Sequence, residues 1–111
     1  MKILVVEDDD VTRSMMTMIV KRQGHEATSA PDGVEGLKIF KTFQPDVVFS
    51  DIQMPNMDGL GMLEKIRKVD SDALVIINST LDSPQYTLRA LRLKANDYLV
   101  KPVMEKDIIA L

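Results

Sequence analysis

The run Val47-Val48-Phe49-Ser50 ends in Asp51, and Pro55 follows within a turn's length. Such a run leaves no polar side to face water, so it reads as a strand buried on both faces. A sheet that needs cover on both faces draws helices to each side. A carboxylate at the carboxyl end of such a strand sits where open α/β sheets bind their ligands. Asp51 is therefore the candidate reactive group, and the rest of the chain can be asked what converges on it.

Three further runs read as strands: Lys2 to Val6, Ala73 to Asn78 and Asp97 to Val100, with the central one spanning Asp46 to Ser50. His25 to Ala30 is a fifth, more polar, as an edge strand should be. Helical patterns lie between them. Asp9 can cap a helix to about Gln23, with Gly24 as its stop. Asp32 opens a second helix to about Phe43, with Val34, Leu37 and Phe40 three apart. Asp58 caps a third from Gly59 to Lys68, with Leu60, Leu63 and Ile66 facing inward. Ser83-Pro84 starts a fourth, because proline suits the first helical position. A fifth, Met104 to Leu111, follows Pro102 and ends after about two turns, as in a domain whose last helix is truncated. Five strand–helix alternations specify a doubly wound parallel sheet.

With 111 residues the chain forms one domain, residues 1–111, with no linker or repeat. Its apolar runs are too short to span a bilayer, and Met1 leads straight into a strand, so neither membrane span nor signal peptide is expected. The absence of cysteine excludes disulfides, thiolate metal sites and thiol catalysis, and fits a cytoplasmic setting. A net charge of −3 argues against nucleic acid as a direct partner.

The loop after the first strand reads Glu7-Asp8-Asp9, which a parallel sheet brings to the same edge as Asp51. Helix capping needs only one acid, and Asp9 serves for that. The other carboxylates would raise each other's pKa unless a cation is present. Oxygen ligands without histidine or cysteine point to Mg²⁺, with Mn²⁺ as a substitute. A metal beside a strand-end carboxylate suggests phosphoryl transfer to that carboxylate. Ser79, ending the fourth strand, offers a hydroxyl, and Lys101, ending the fifth, a positive charge. Taken singly, these are a turn residue and a surface lysine before proline; together with the acids they coincide at five strand-end positions.

Three segments carry a resemblance: Ile3 to Asp8, Asp51 to Gly59 (Asp-Ile-Gln-Met-Pro-Asn-Met-Asp-Gly), and Ala95 to Pro102 (Ala-Asn-Asp-Tyr-Leu-Val-Lys-Pro). Over its whole length the chain resembles the response regulator receiver domain of two-component signal transduction, chemotaxis receivers included. The resemblance implies a three-layer, flavodoxin-like (βα)5 fold with strand order 2-1-3-4-5, a topology the receiver itself exemplifies. It implies a phosphorylation-activated switch rather than an enzyme acting on other molecules, either free-standing or the receiver part of a hybrid kinase. By resemblance, Asp51 matches the residue phosphorylated by a histidine kinase or phosphotransfer protein. Asp8 matches the direct Mg²⁺ ligand, Glu7 the acid acting through water, and Gln53 the residue whose carbonyl completes the metal site. Ser79, 22 residues before Lys101, matches the hydroxyl that binds the phosphoryl group. Lys101 matches the lysine that pairs with its oxygens, and Tyr98 the aromatic that rotates with the switch. The Lys101–Pro102 bond matches one that is usually cis. The fourth helix, fifth strand and fifth helix match the output or dimerisation face, through which a downstream protein or attached output domain is engaged.

Two positions depart from the family pattern. Thr80 stands where alanine or glycine is preferred, beside the phosphoryl position, and its bulk is expected to slow entry of a donor or of water. Lys94 replaces a helix-closing glycine; a lysine at positive φ costs on the order of 1 kcal/mol, so a different turn is expected. Gln53 and Leu81, each two residues beyond a site residue, are expected to tune the lifetime of the phosphorylated state. Leu81 cannot orient a water, whereas Gln53 can, which implies an intermediate to long lifetime. His25, between a helix stop and an edge strand, reads as structural. Met15, Met16, Met18, Ile19 and Val20 read mostly as core, with Val11 or Met18 partly exposed near the kinase-docking end of the first helix. Arg89 and Arg92 read as a solvated face opposite Leu88 and Leu91. A flavodoxin-like cofactor binder would need a Ser/Thr/Gly-rich loop where Glu7-Asp8-Asp9 stands. An aspartyl phosphatase would need a second acid where Gln53 stands. A non-phosphorylated adaptor is opposed by the full set of Asp8, Asp51, Ser79 and Lys101.

Overall fold

The computed structural model describes residues 1–80 and 84–110. Strands β1 (Lys2–Val6), β2 (Glu26–Ala30), β3 (Val47–Asp51), β4 (Leu74–Ser79) and β5 (Asp97–Val100) alternate with helices α1 (Asp10–Arg22), α2 (Gly33–Phe43), α3 (Gly59–Val69), α4 (Pro84–Arg92) and α5 (Glu105–Ile109). All strand pairs are parallel, in the order β2-β1-β3-β4-β5. The flavodoxin-like expectation holds.

Side-chain alternation in the central strands makes two cores. Leu4, Val6, Val48, Val75 and Ile77 pack against Phe40 of α2 and Leu60, Leu63 and Ile66 of α3. Ile3, Val5, Val47 and Phe49 face Met16 and Val20 of α1 and Ile108 of α5. Both faces are covered, so β1 and β3 read as unbroken apolar runs, whereas edge strand β2 is mostly half-exposed.

Three aspartates start three helices as expected. Asp9 accepts from the Thr12 N–H at 2.8 Å, Asp32 from Glu35 N–H at 2.9 Å, and Asp58 from Gly61 N–H at 2.7 Å. Lys94 adopts φ +63° all the same, so the left-handed turn forms without glycine. The Lys94 carbonyl accepts from the Arg67 guanidinium at 2.7 Å, which also donates to the Ala73 carbonyl and Asn96 Oδ1. A tertiary contact thus supports the residue in its strained conformation.

Two expectations about helix faces need correction. Val11 and Met18 are exposed as expected, but so is Met15, and only Met16 and Val20 of α1 are buried, with Ile19 packed beside them, because one helical stripe suffices to cover that side of β1 and β3. On α4 the inward positions are Tyr86 and Ala90, continued by Leu93 just past its end, so Leu88 and Leu91 lie in solvent as Arg89 and Arg92 do. His25 lies half-buried before β2, its ring 3.1 Å from the amino group of Met1. No helix among the described residues is long and apolar enough to cross a membrane.

Candidate functional site

β1, β3, β4 and β5 are neighbours in the sheet, so their carboxyl ends form one edge. Register places Val6 beside Ser50, Asp51 beside Asn78 and Ser79 beside Val100. Glu7, Asp51, Ser79 and Lys101 therefore come from four adjacent strand ends. The backbone also ties two of them, since Lys101 N–H donates to the Ser79 carbonyl at 2.8 Å.

The Lys101 ammonium stands between two acids, 2.5 Å from Glu7 Oε1 and 3.1 Å from Asp51 Oδ2. The remaining oxygens have donors as well: Glu7 Oε2 accepts from Asp9 N–H at 3.1 Å, and Asp51 Oδ1 from Ile52 N–H at 2.8 Å. Glu7 is buried, and burial, reinforced by the Asp51 and Asp8 carboxyls, holds its pKa above the ordinary range despite Lys101. Burial alone would pull the Lys101 ammonium down, but Glu7 and Asp51 outweigh it and its pKa is raised.

Carboxylate oxygens of Glu7, Asp8 and Asp51 lie within 4.8 Å of one another, with Asp8 exposed to solvent. Three carboxylates against one ammonium leave two negative charges uncompensated. This all-oxygen donor set, open on the Asp8 side, fits a hard divalent cation that keeps part of its water.

The floor is built by close packing under Asp51. A Cβ on Gly59 would fall 1.9 Å from the Asp51 carbonyl oxygen, so only glycine lets α3 approach. Gly59 N–H then donates to the Ile52 carbonyl at 2.8 Å, fixing the chain just past Asp51.

Gln53 and Thr80 are exposed at this edge, Ser79 is buried, and Tyr98 is half-buried against the α2/α3/α4 core. Leu81 lies outside the described residues, as does Ser83. The Lys101–Pro102 bond is cis. Sequence reasoning missed two supports. Arg13, held by Asp10, donates to the Glu7 carbonyl at 2.9 Å, and Asn56 Nδ2 donates to Asp32 Oδ2 at 2.8 Å, tying the loop after β3 to the start of α2. It also passed over Asn78, a carboxamide closing an apolar run and buried in the sheet.

The family model described as the response regulator receiver domain matches residues 3–111. The chemotaxis protein CheY of Treponema pallidum is 39% identical over 111 residues, covering 97% of this chain and 77% of that protein. A probable transcriptional regulator, ycf27 of Guillardia theta, is 38% identical over 109 residues; the match covers 98% of this chain but only 42% of the regulator. Among solved structures, a CheY-like receiver domain protein from Methanospirillum hungatei superposes with a TM-score of 0.93 at 28% identity, covering 98% of this chain and 87% of that one. Strand order, the acid edge and these matches agree: the chain belongs to the response regulator receiver domains, the phosphorylation-activated switches of two-component signalling.

Proposed function

We propose that Asp51 is the phosphoryl acceptor of this receiver, with Glu7, Asp8 and the Gln53 carbonyl holding Mg²⁺. The observation that carries the reading is the Lys101 ammonium bridging Glu7 and Asp51. That ammonium is already in place for the oxygens of an incoming phosphoryl group. An Asp51 carboxylate oxygen attacks the phosphorus of a phosphohistidine; the P–O bond forms as the P–N bond breaks, and the imidazole nitrogen leaves with the bonding pair. When bound, Mg²⁺ offsets the negative charge that gathers among the carboxylates and phosphoryl oxygens.

The acyl phosphate adds about two negative charges next to Ser79 and Lys101. The Ser79 hydroxyl moves toward the new oxygens and Tyr98 turns into the space released. Phosphorylation then shifts a population between two packings of α4 and β5 to the extent that it interacts differently with each. Exposed Leu88, Leu91 and Val100 support α4, β5 and α5 as the face for an output domain, a downstream protein or a second copy. The donor is a histidine kinase or phosphotransfer protein, and a cytoplasmic setting belongs to the same proposal. Gln53 and Thr80, both exposed at the edge, tune the lifetime of the phosphorylated form, and Leu81 is assigned the same part.

Incubation with acetyl phosphate, followed by intact mass, tests the reading. One added phosphoryl group is expected with Mg²⁺ or Mn²⁺, none after chelation, and none in Asp51→Asn. Failure to gain mass from acetyl phosphate or from a phosphorylated kinase would leave the non-phosphorylated adaptor as the better description.

A further inference from the structure

Glu7, Asp8 and Asp9 repel one another, so the loop that carries two of the proposed metal ligands needs fastening. Glu7 N–H makes the last bond from β1 to β2, donating to the Ala30 carbonyl at 3.0 Å. β2 ends there, and Pro31 beyond it has no N–H with which to continue the ladder. The Glu7 carbonyl accepts instead from Arg13, which reaches back from the first turn of α1 with Nη1 at 2.9 Å. Nη2 of the same guanidinium lies 2.5 Å from Asp10 Oδ1, and the side chain is only 20% exposed. The planar fork is thus held through both of its outer nitrogens.

A peptide group is planar, so fixing the Glu7 carbonyl oxygen also fixes the peptide nitrogen, which belongs to Asp8. Arg13 therefore sets the direction from which the Asp8 side chain leaves the backbone. Asp9 closes the loop from the other side, its N–H on Glu7 Oε2 and its side chain capping α1. Exposed Asp8 stands between these two anchors. On charge alone Arg13 is misplaced: a guanidinium beside a divalent-cation site opposes the metal, although Asp10 offsets part of its charge.

We propose that Arg13 is a positioning residue for Mg²⁺, holding the Glu7–Asp8 peptide so that Asp8 meets the cation already oriented. The inference rests on Glu7 and Asp8 being the metal ligands, and adds to them a residue that never touches the ion. Geometry and charge predict opposite signs for its removal. Loss of the fork frees Asp8 and weakens the metal, whereas loss of a neighbouring positive charge would tighten it.

Mg²⁺ alone, titrated into ¹⁵N-labelled protein and followed by backbone amide shifts in nuclear magnetic resonance, separates the two. The wild type should show saturable shifts at Asp8, Asp9 and Ile52. Arg13→Met should weaken Mg²⁺ about tenfold, the lower end for a group that orients a ligand without contacting the metal. Arg13→Lys, which keeps the charge and loses the planar fork, should weaken it as well. Before metal is added, the Asp8 amide of Arg13→Met should show a lowered order parameter, with the amides of β1 and of α1 beyond its first turn unchanged. A general loss of stability would not loosen one peptide alone. Unchanged affinity in both variants, or tighter Mg²⁺ in Arg13→Met, would overturn the proposal. So would loosening spread along α1, which would make Arg13 a support of the helix only. Absence of saturable shifts in the wild type is a different failure: it would remove the metal-site reading itself, and this inference with it.

Discussion

Glu7 and Asn78 lie at the same sheet edge and are equally buried, each 1% exposed, yet their surroundings are opposite. Glu7 has a donor on each oxygen, Lys101 on one side and Asp9 N–H on the other. Asn78 has a partner on neither amide atom. Burying a charge without a partner costs far more than burying a neutral amide. A charged group at this edge is therefore paired within the chain, whereas a neutral carboxamide can be buried without a partner at more modest expense in stability.

The largest effect should come from removing the Glu7 partner. Lys101→Met leaves a buried carboxylate uncompensated and should lower unfolding free energy by about 3 kcal/mol in urea melts at neutral pH. A loss under about 1 kcal/mol would mean that solvent reaches Glu7, and the contrast with Asn78 would collapse. Gly59→Ala comes next, at about 2 kcal/mol, because the new methyl meets the Asp51 carbonyl and α3 must withdraw. The same withdrawal should slow phosphorylation of Asp51 by acetyl phosphate, and an unchanged rate would show that α3 does not set the acceptor's position.

On the other side of the comparison, Asn78→Leu should stabilise the protein by about 1 kcal/mol, read as a higher Tm, since it replaces a buried unsatisfied amide by an apolar side chain of similar size. No gain would show the amide already bonded to water. An effect of similar size, confined to neutral pH, concerns a carboxylate completed by one backbone and one side-chain donor. Asp32 is held below the ordinary carboxylate range by the Glu35 N–H first and the Asn56 side chain second. Its folded pKa is depressed, so its contribution is present above about pH 4, the unfolded value, and fades as pH falls through the lower folded value. Asp32→Ala should accordingly cost about 1 kcal/mol at neutral pH, with the gap to wild type narrowing in acid. A gap independent of pH would assign the loss to the side chain's shape instead of its charge.

Much of this architecture was legible in the residues because its causes are local. Asp9, Asp32 and Asp58 cap helices where they stand in sequence, and runs such as Ile3 to Val6 are apolar because both faces are covered. The candidate site was legible for the same reason, since Glu7, Asp51, Ser79 and Lys101 each follow or close a strand whose direction the alternation fixes. What escaped depends on contacts between distant segments. Met15 has the character of a core residue, and only the placement of α1 decides that Met16 and Val20 face the sheet instead. Gln44 takes φ +51° at the end of α2, and Lys94 φ +63° with help from Arg67, neither of which a preference for glycine would foresee. Asn78 escaped because an amide at the end of an apolar run resembles a strand stop until its missing partners are known.

The helices also differ in what fastens them. α3 buries five residues, including Leu60, Met62, Leu63 and Ile66, while α4 buries Ala90 alone. At roughly 25 cal/mol per Å² of apolar surface, one buried alanine and a half-buried Tyr86 secure a helix more weakly than four fully buried large side chains do. Amide hydrogen exchange should therefore proceed through local opening of α4 well before α3 releases a proton to solvent. Of the two helices that flank β4 in sequence, α4 is thus the one held to the sheet by less buried surface, and the easier of the two to displace.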